Sequence, residues 1–95
     1  MPAVSREGDT GTGHGAFPPR ASTGGSPDVF VNGVAAHRVG DPWATHCNPS
    51  PSCHGGAAAA GSATVFANGQ ALVRIGDDVD CGSAVAQGSP DVFAG

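Results

Sequence analysis

The chain has 95 residues and a formal net charge of −4, with four arginines and no lysine. This balance excludes a nucleic-acid-binding surface, which needs a dense patch of basic side chains. No apolar run approaches the roughly 20 residues that cross a bilayer, and the opening residues, MPAVSREGD, lack the apolar segment of a signal peptide. We therefore expect synthesis as a cytosolic protein, in a compartment where thiols stay reduced.

The composition predicts one domain, spanning residues 1–95, with a small core. Much of the apolar content is alanine, and the sixteen glycines increase the entropy lost on folding. Such a core needs an additional constraint. Three cysteines are an odd number, which a simple disulfide framework would leave unpaired. Cysteine and histidine together therefore favour a bound metal as that constraint.

Two short phrases each occur three times along the chain, in the same order. The first reads SPDVFVNG at 26–33, SATVFANG at 62–69 and SPDVFAG at 89–95. The second is Arg-x-Gly-Asp, starting at Arg6, Arg38 and Arg74. A fixed pattern of this kind predicts three structural repeats, at roughly 1–33, 34–69 and 70–95.

Each of the first two repeats contains a signal for a β-hairpin. The runs 29–31 and 65–67 are rich in valine and phenylalanine, and each ends in Asn-Gly, the pair that favours a type I′ turn. The return strands are predicted at 34–39 and 70–75. The aspartate of each Arg-x-Gly-Asp phrase is expected to accept hydrogen bonds from nearby backbone N–H groups and so to stabilise the next turn. We predict an all-β domain of three hairpin-like units. A flexible Gly/Ala-rich linker, the alternative, does not account for these turns.

A side chain that binds metals follows each Gly-Asp at a similar offset. These are His14, His46 and Cys81, and they would converge if the three units pack around a pseudo-threefold axis. His54, in the long loop of the middle repeat, is a fourth candidate. Three imidazoles and one thiolate in a tetrahedral arrangement suit one Zn²⁺ per chain, and iron is possible with the same donors. Four protein ligands leave no open position, so the site is predicted to be structural.

The remaining histidine and cysteines are assigned other roles. His37 falls outside the ligand register and is predicted to be a strand residue. Cys47 and Cys53 flank the segment 48–52 and are predicted to be thiols. The alternatives are that one of them replaces His46 or His54 as a ligand, or that they form a local disulfide after release from the cell. The chain has no HExxH motif and no Gly-rich phosphate loop before a helix, so we do not expect an enzyme.

Several stretches together resemble the PAAR-repeat family along essentially the whole chain. The equivalents of its Pro-Ala-Ala-Arg phrase are PAVSR, VAAHR and ALVR, and none is a literal match. The more specific similarity lies in GHGAFPPR at 13–20, GSPDVFVNG at 25–33, HGG at 54–56 and DCGSAVAQGSPDVFAG at 80–95. The resemblance implies a small conical β-prism with pseudo-threefold symmetry, stapled near its tip by zinc. The family's ligands fall on His14, His46, His54 and Cys81.

The resemblance also implies a function. Members of the family cap and sharpen the trimeric β-helical spike of a contractile machine, either a phage tail or a type VI secretion system. A monomer would sit by its broad base on the tip of a VgrG-like or phage tail spike and be delivered outward, touching the target membrane transiently. This is a non-enzymatic role. The alternative is a free-standing zinc-binding module or a zinc hydrolase, which would show three protein ligands and a water.

Overall fold

A computed structural model describes all residues, 1–95, and it is an all-β protein, as predicted. Its principal extents are 39 × 24 × 22 Å. Six strands form three separate two-stranded antiparallel sheets. These pair β1 (Phe30–Val31) with β2 (Val34–Ala35), β3 (Pro42–Cys47) with β4 (Cys53–Ala57), and β5 (Phe66–Ala67) with β6 (Gln70–Ala71). No helix has the length and apolar character that crossing a membrane requires.

Both Asn-Gly pairs form the predicted hairpin turns. Asn32 and Asn68 each have φ of 55°, and the glycines that follow them have φ of 77°. Positive φ at both central residues defines the type I′ turn, whose twist matches that of the flanking strands. The return strands are shorter than predicted, with two residues each. After β2, Ala36 and Arg38 bridge to Arg6 and Leu72 in other repeats, and after β6, Leu72 and Arg74 bridge to Arg38 and Val4.

The third copy of the Val-Phe phrase pairs with the beginning of the chain. Phe93 bridges Ala3 in antiparallel fashion. The Val4 N–H donates to Val92 O at 2.9 Å, and the Ala94 N–H donates to Pro2 O at 3.1 Å. The first residues therefore take the place that β2 and β6 take in the other two hairpins, which gives three hairpin-like units.

A closed ring of backbone hydrogen bonds joins the three units. Ser5, His37 and Val73 occupy equivalent positions, and all three are fully buried. The Ser5 N–H donates to Val73 O at 2.8 Å, Val73 N–H to His37 O at 3.0 Å, and His37 N–H to Ser5 O at 3.1 Å. A ring in which each unit donates once and accepts once marks the pseudo-threefold axis of a β-prism. His37 itself lies between two bridged residues and belongs to no assigned strand.

Two apolar clusters make up the core. The first collects equivalent residues from the three hairpin units: Val4, Val31, Ala36, Ala67, Leu72 and Ala94. The second contains Trp43, Ala58, Val73, Val79 and Val85, and it packs against Cys81. The first cluster therefore supports the hairpins, and the second supports the segments that carry the predicted ligands.

The three Arg-x-Gly-Asp phrases form nearly identical turns. In each, the arginine N–H donates to the aspartate Oδ2 at 2.8 Å, as the sequence predicts for Asp. The arginine guanidinium also forms an ion pair with the same carboxylate, with nitrogen–oxygen distances of 2.8–3.0 Å. The central glycines have φ of 92–93°, which side chains rarely adopt. Each turn thus reverses the chain and directs it toward a predicted ligand.

The long loop predicted around His54 is in fact half of a β-hairpin. Trp43 pairs with Gly56 and His46 pairs with His54, with an irregular register between Trp43 and His46. The expectation of a loop is wrong here because the strand signal is weak. Pro42, Gly55 and Gly56 are residues that strands usually avoid, and no alternation of apolar and polar residues marks the segment.

Candidate metal centre

Two of the predicted ligands face each other across the β3–β4 hairpin. His46 lies on β3 and His54 lies on β4, and they are direct partners in the register. Their Nε2 atoms are 2.7 Å apart. His46 is buried and His54 half-buried. The hairpin therefore holds two imidazole nitrogens close together.

His14 reaches the same point from a tight turn. The His14 N–H donates to Phe17 O at 3.0 Å, and the Phe17 N–H donates to His14 O at 2.8 Å. This closed pair of bonds holds the turn and aims the imidazole inward. The His14 Nε2 atom is 3.0 Å from that of His54.

Cys81 approaches from the turn that follows Val79. Gly82, with φ of 105°, closes this turn by donating to Val79 O at 3.1 Å. Gly56 on β4 leaves room for the thiol, because a Cβ there would lie 3.2 Å from Cys81 Sγ. Cys81 is the one cysteine outside a disulfide.

The ligand atoms of His14, His46, His54 and Cys81 all lie within 4.8 Å of one another, so the group could hold a metal ion. A tetrahedral zinc ion with ordinary bond lengths spaces its ligand atoms about 3.3–3.6 Å apart. The structure thus brings together all four residues that the sequence predicts, and His37 lies apart from them.

The hydrogen-bonding chemistry of the three imidazoles fits a cation. His46 Nδ1 lies 2.9 Å from the Pro18 carbonyl oxygen. Because a carbonyl only accepts, this contact favours the tautomer of the neutral ring with its proton on Nδ1 and its lone pair on Nε2. His54 Nε2 closely contacts two other ring nitrogens, yet a ring nitrogen has either one proton or one lone pair. Hydrogen bonds cannot satisfy both contacts at once, whereas a cation accepts all three lone pairs.

The surroundings of His54 favour its unprotonated form. Removal from water, and then the nearby imidazoles of His46 and His14, lower the pKa of His54 below its usual 6.5. A neutral imidazole offers a lone pair, which is the form a metal binds. At neutral pH, His54 is therefore ready to act as a ligand.

Phe17 covers the imidazoles on one side. Its ring centroid lies 4.8 Å from that of His14, 5.0 Å from that of His46 and 4.4 Å from that of His54. An apolar cover limits the access of water to a metal site. Phe17 is absent from the predicted ligand set because it offers no donor atom. The one feature of the sequence that points to its role is that it follows His14 by three residues.

Cys47 and Cys53 form a disulfide. The prediction that they are thiols is therefore wrong, and neither replaces His46 or His54. They are direct partners on β3 and β4, one position beyond the histidine pair. Two cysteines six residues apart become neighbours because the hairpin places them opposite each other, which the expected loop would not do.

Comparison with known proteins identifies one related family. A family model described as the PAAR motif matches residues 8–87. This range contains His14, His46, His54 and Cys81. No curated protein matches the chain.

Proposed function

The chain belongs to the PAAR-motif family. From this premise we propose that the chain uses its own three exposed phenylalanines to cap a trimeric spike. We also propose that a closed zinc site keeps the opposite end of the chain rigid. Proteins of this family are spike tips, small conical β-prisms that sharpen VgrG or phage-tail spikes, and they are structural proteins rather than enzymes. Family membership therefore indicates a spike-tip role, and the residues of this chain indicate how it binds the spike.

The observation that carries the capping proposal is a surface repeated three times. Phe30 and Phe66 are each 58 % exposed, and Phe93, at the equivalent position, is 50 % exposed. The valine before each of them is exposed as well. Large apolar side chains that cluster on a surface mark an interaction site. The chain leaves about half of each of these three side chains exposed, and a bound partner would cover the exposed half.

The symmetry of this surface suits a trimer. A single chain with three quasi-equivalent units can offer the same contact to each subunit of a threefold partner. The end of a β-helical trimer exposes strand edges, which proteins cover to prevent unwanted pairing. We propose that one chain binds per trimer, with the phenylalanine-bearing hairpins as its broad base.

We propose that His14, His46, His54 and Cys81 bind one zinc ion. Imidazole and thiolate donors suit zinc, and iron accepts the same donors, so metal analysis decides between them. Four protein donors fill a tetrahedral shell and leave no position for the water that a hydrolase activates. A closed zinc site stabilises small domains by on the order of 10 kcal/mol, which suits a chain with two small apolar clusters.

The family is placed at the spike tip of type VI secretion systems or phages. We propose that this chain is made in the bacterial cytoplasm, mounted on its spike and carried outward. Its metal-bound end would then meet the target membrane first and only transiently. The zinc site would resist deformation of that end during penetration.

Single substitutions of the three phenylalanines test the docking surface. We expect Phe30→Asp, Phe66→Asp and Phe93→Asp each to weaken binding to a trimeric spike protein from the same genome by at least about tenfold, because each places a charge inside an apolar contact. Affinity would be measured by isothermal titration, with circular dichroism to verify the fold.

The matched control is Pro51→Asp, which adds the same charge in the exposed 48–52 loop beside the metal-binding histidines. We expect it to bind as the wild type does. Wild-type affinity in all three phenylalanine variants would refute the proposed base.

A further inference from the structure

A covalent link lies directly beside half of the candidate metal site. In the β3–β4 register, the Cys47–Cys53 disulfide is adjacent to the pair formed by His46 and His54. Any role of this link in metal binding rests on the proposed metal site.

The disulfide is the nearest strong restraint on the spacing of the two histidines. On the inner side of the pair, the register is irregular between Trp43 and His46. On the outer side, the hairpin is closed by the disulfide and by a short loop. In that loop, Asn48 Oδ1 accepts hydrogen bonds from Ser52 N at 2.7 Å and from Ser50 N at 3.2 Å. The outer side therefore determines how far the two strands can separate.

The other two ligands have no such restraint. His14 and Cys81 lie on separate turns, and neither is linked covalently to the hairpin. An ion leaving the site must break its bonds one after another. While His46 and His54 stay paired, a partly released ion is held long enough for His14 and Cys81 to bind again. Preorganisation of this kind lowers the entropy lost on binding.

We propose that the Cys47–Cys53 disulfide is a redox-dependent clasp that retains the metal by holding His46 and His54 together. Both cysteines are exposed, so a reductant can reach the bond. Reducing compartments keep thiols reduced. Elsewhere the clasp closes by exchange with a small disulfide, which takes two electrons and two protons from Cys47 and Cys53 and leaves as two thiols, and the bound metal is retained most strongly there.

The reduction that opens the clasp is chemically simple. A tertiary phosphine and one water molecule react with the disulfide. The phosphine is oxidised to its oxide with the water oxygen, and the two sulfurs gain two electrons and two protons to become thiols. No ligand of the proposed metal site takes part in this reaction.

The test measures how fast the metal leaves. Protein loaded with Co²⁺, which reports tetrahedral coordination by its visible absorption, is mixed with excess chelator, and the decay of the absorption is followed. We expect the Cys47→Ala/Cys53→Ala variant to lose Co²⁺ about tenfold faster than the oxidised wild type, the lower end of what positioning partners of metal ligands contribute. Phosphine-treated wild type should match the variant.

Two controls accompany this comparison. Phosphine should not change the rate of the double variant, which has no disulfide. Thiol titration of the denatured protein should give one thiol for the oxidised wild type, from Cys81, and three after reduction, when Cys47 and Cys53 are freed.

The outcomes separate the clasp from the metal site. Equal release rates in the oxidised wild type and the double variant would refute the clasp and leave the metal site intact. Stronger sulfur-to-cobalt charge transfer after reduction would also refute it, because the freed thiols would then be ligands. If no form binds Co²⁺, the proposed metal site itself fails.

Discussion

His37 lies at the centre of the molecule and is held there in its neutral form. It is fully buried, and its Nδ1 donates to Gly24 O at 2.7 Å. Its Nε2 has no hydrogen-bond partner, and its ring packs edge-on against Trp43 at 5.4 Å. Burial lowers the pKa of His37 below its usual 6.5. A proton on Nε2 would therefore be a buried and unpaired charge.

This burial predicts a loss of stability in mild acid. The unfolded chain binds a proton at His37 near pH 6.5 and the folded chain does so only at lower pH, so stability falls as the pH drops below 6.5. Between pH 6.5 and 5.5, the wild type should lose up to about 1 kcal/mol more unfolding free energy than His37→Asn, the limit being reached if His37 stays unprotonated in the folded chain. The amide nitrogen of asparagine occupies the position of Nδ1, so it can still donate to Gly24 O, but it does not titrate.

Denaturant unfolding at several pH values would measure the difference between the two proteins. His14, His46, His54 and Cys81 are present in both proteins, so their contribution to the pH dependence cancels. Parallel stability profiles would mean that protonation of His37 does not oppose folding.

At the scale of single residues, some assignments could be predicted from the sequence and others could not. His14, His46 and Cys81 could be identified because each follows a repeated phrase, which is a local property of the sequence. The role of Phe17 could not be identified, and the Cys47–Cys53 bond was only one of several alternatives. Their roles depend on which segments lie opposite each other, and this is decided by the register of β3 and β4.

Among the structural elements, the Asn-Gly turns do more than reverse the chain. Asn68 Oδ1 accepts a hydrogen bond from Ser26 Oγ at 2.6 Å, and Asn68 Nδ2 donates to Asp28 Oδ1 at 2.7 Å. The bond from Asn68, and then that from Ser26, lower the pKa of Asp28. Equivalent contacts join Asn32 with Ser89 and Asp91. Each of these turns thus fastens its own hairpin to a neighbouring repeat.

Two substitutions at Asn68 separate its two roles. Asn68→Gly keeps the positive φ but removes the side-chain bonds to Ser26, Asp28 and Arg38. We expect a loss of at least about 1 kcal/mol in unfolding free energy. Asn68→Ala removes the same bonds and forces a side chain into the left-handed region, which adds roughly 1–2 kcal/mol. Thermal or urea denaturation of both variants measures the two effects. Equal destabilisation would contradict a role for the backbone conformation.

Two of the three strand pairs could be predicted from the sequence, and the third could not. β1–β2 and β5–β6 were predictable because Asn-Gly between valine-rich runs is a strong local signal. β3–β4 was not, because its strands contain proline and paired glycines and are stabilised by side chains from other segments. The third hairpin unit joins Phe93 to Ala3. A pairing between residues so far apart in the chain leaves no local signal.

For the whole molecule, the three repeats account for both its shape and its proposed role. Three equivalent hairpin units surround one axis, joined by the ring of Ser5, His37 and Val73. The number of repeats predicts this symmetry. It does not predict which side chains face outward, since Val-Phe-Val runs with the same composition occur in buried strands. The exposure of Phe30, Phe66 and Phe93 is a result of the structure.

The proposed role requires that one chain with three quasi-equivalent faces caps one trimer. Native mass spectrometry of the chain mixed with a trimeric β-helical spike protein from the same genome would measure the mass of the complex. We predict one chain bound to three spike subunits, because the three phenylalanines engage one subunit each. Three chains per trimer, or no complex between the intact proteins, would contradict it.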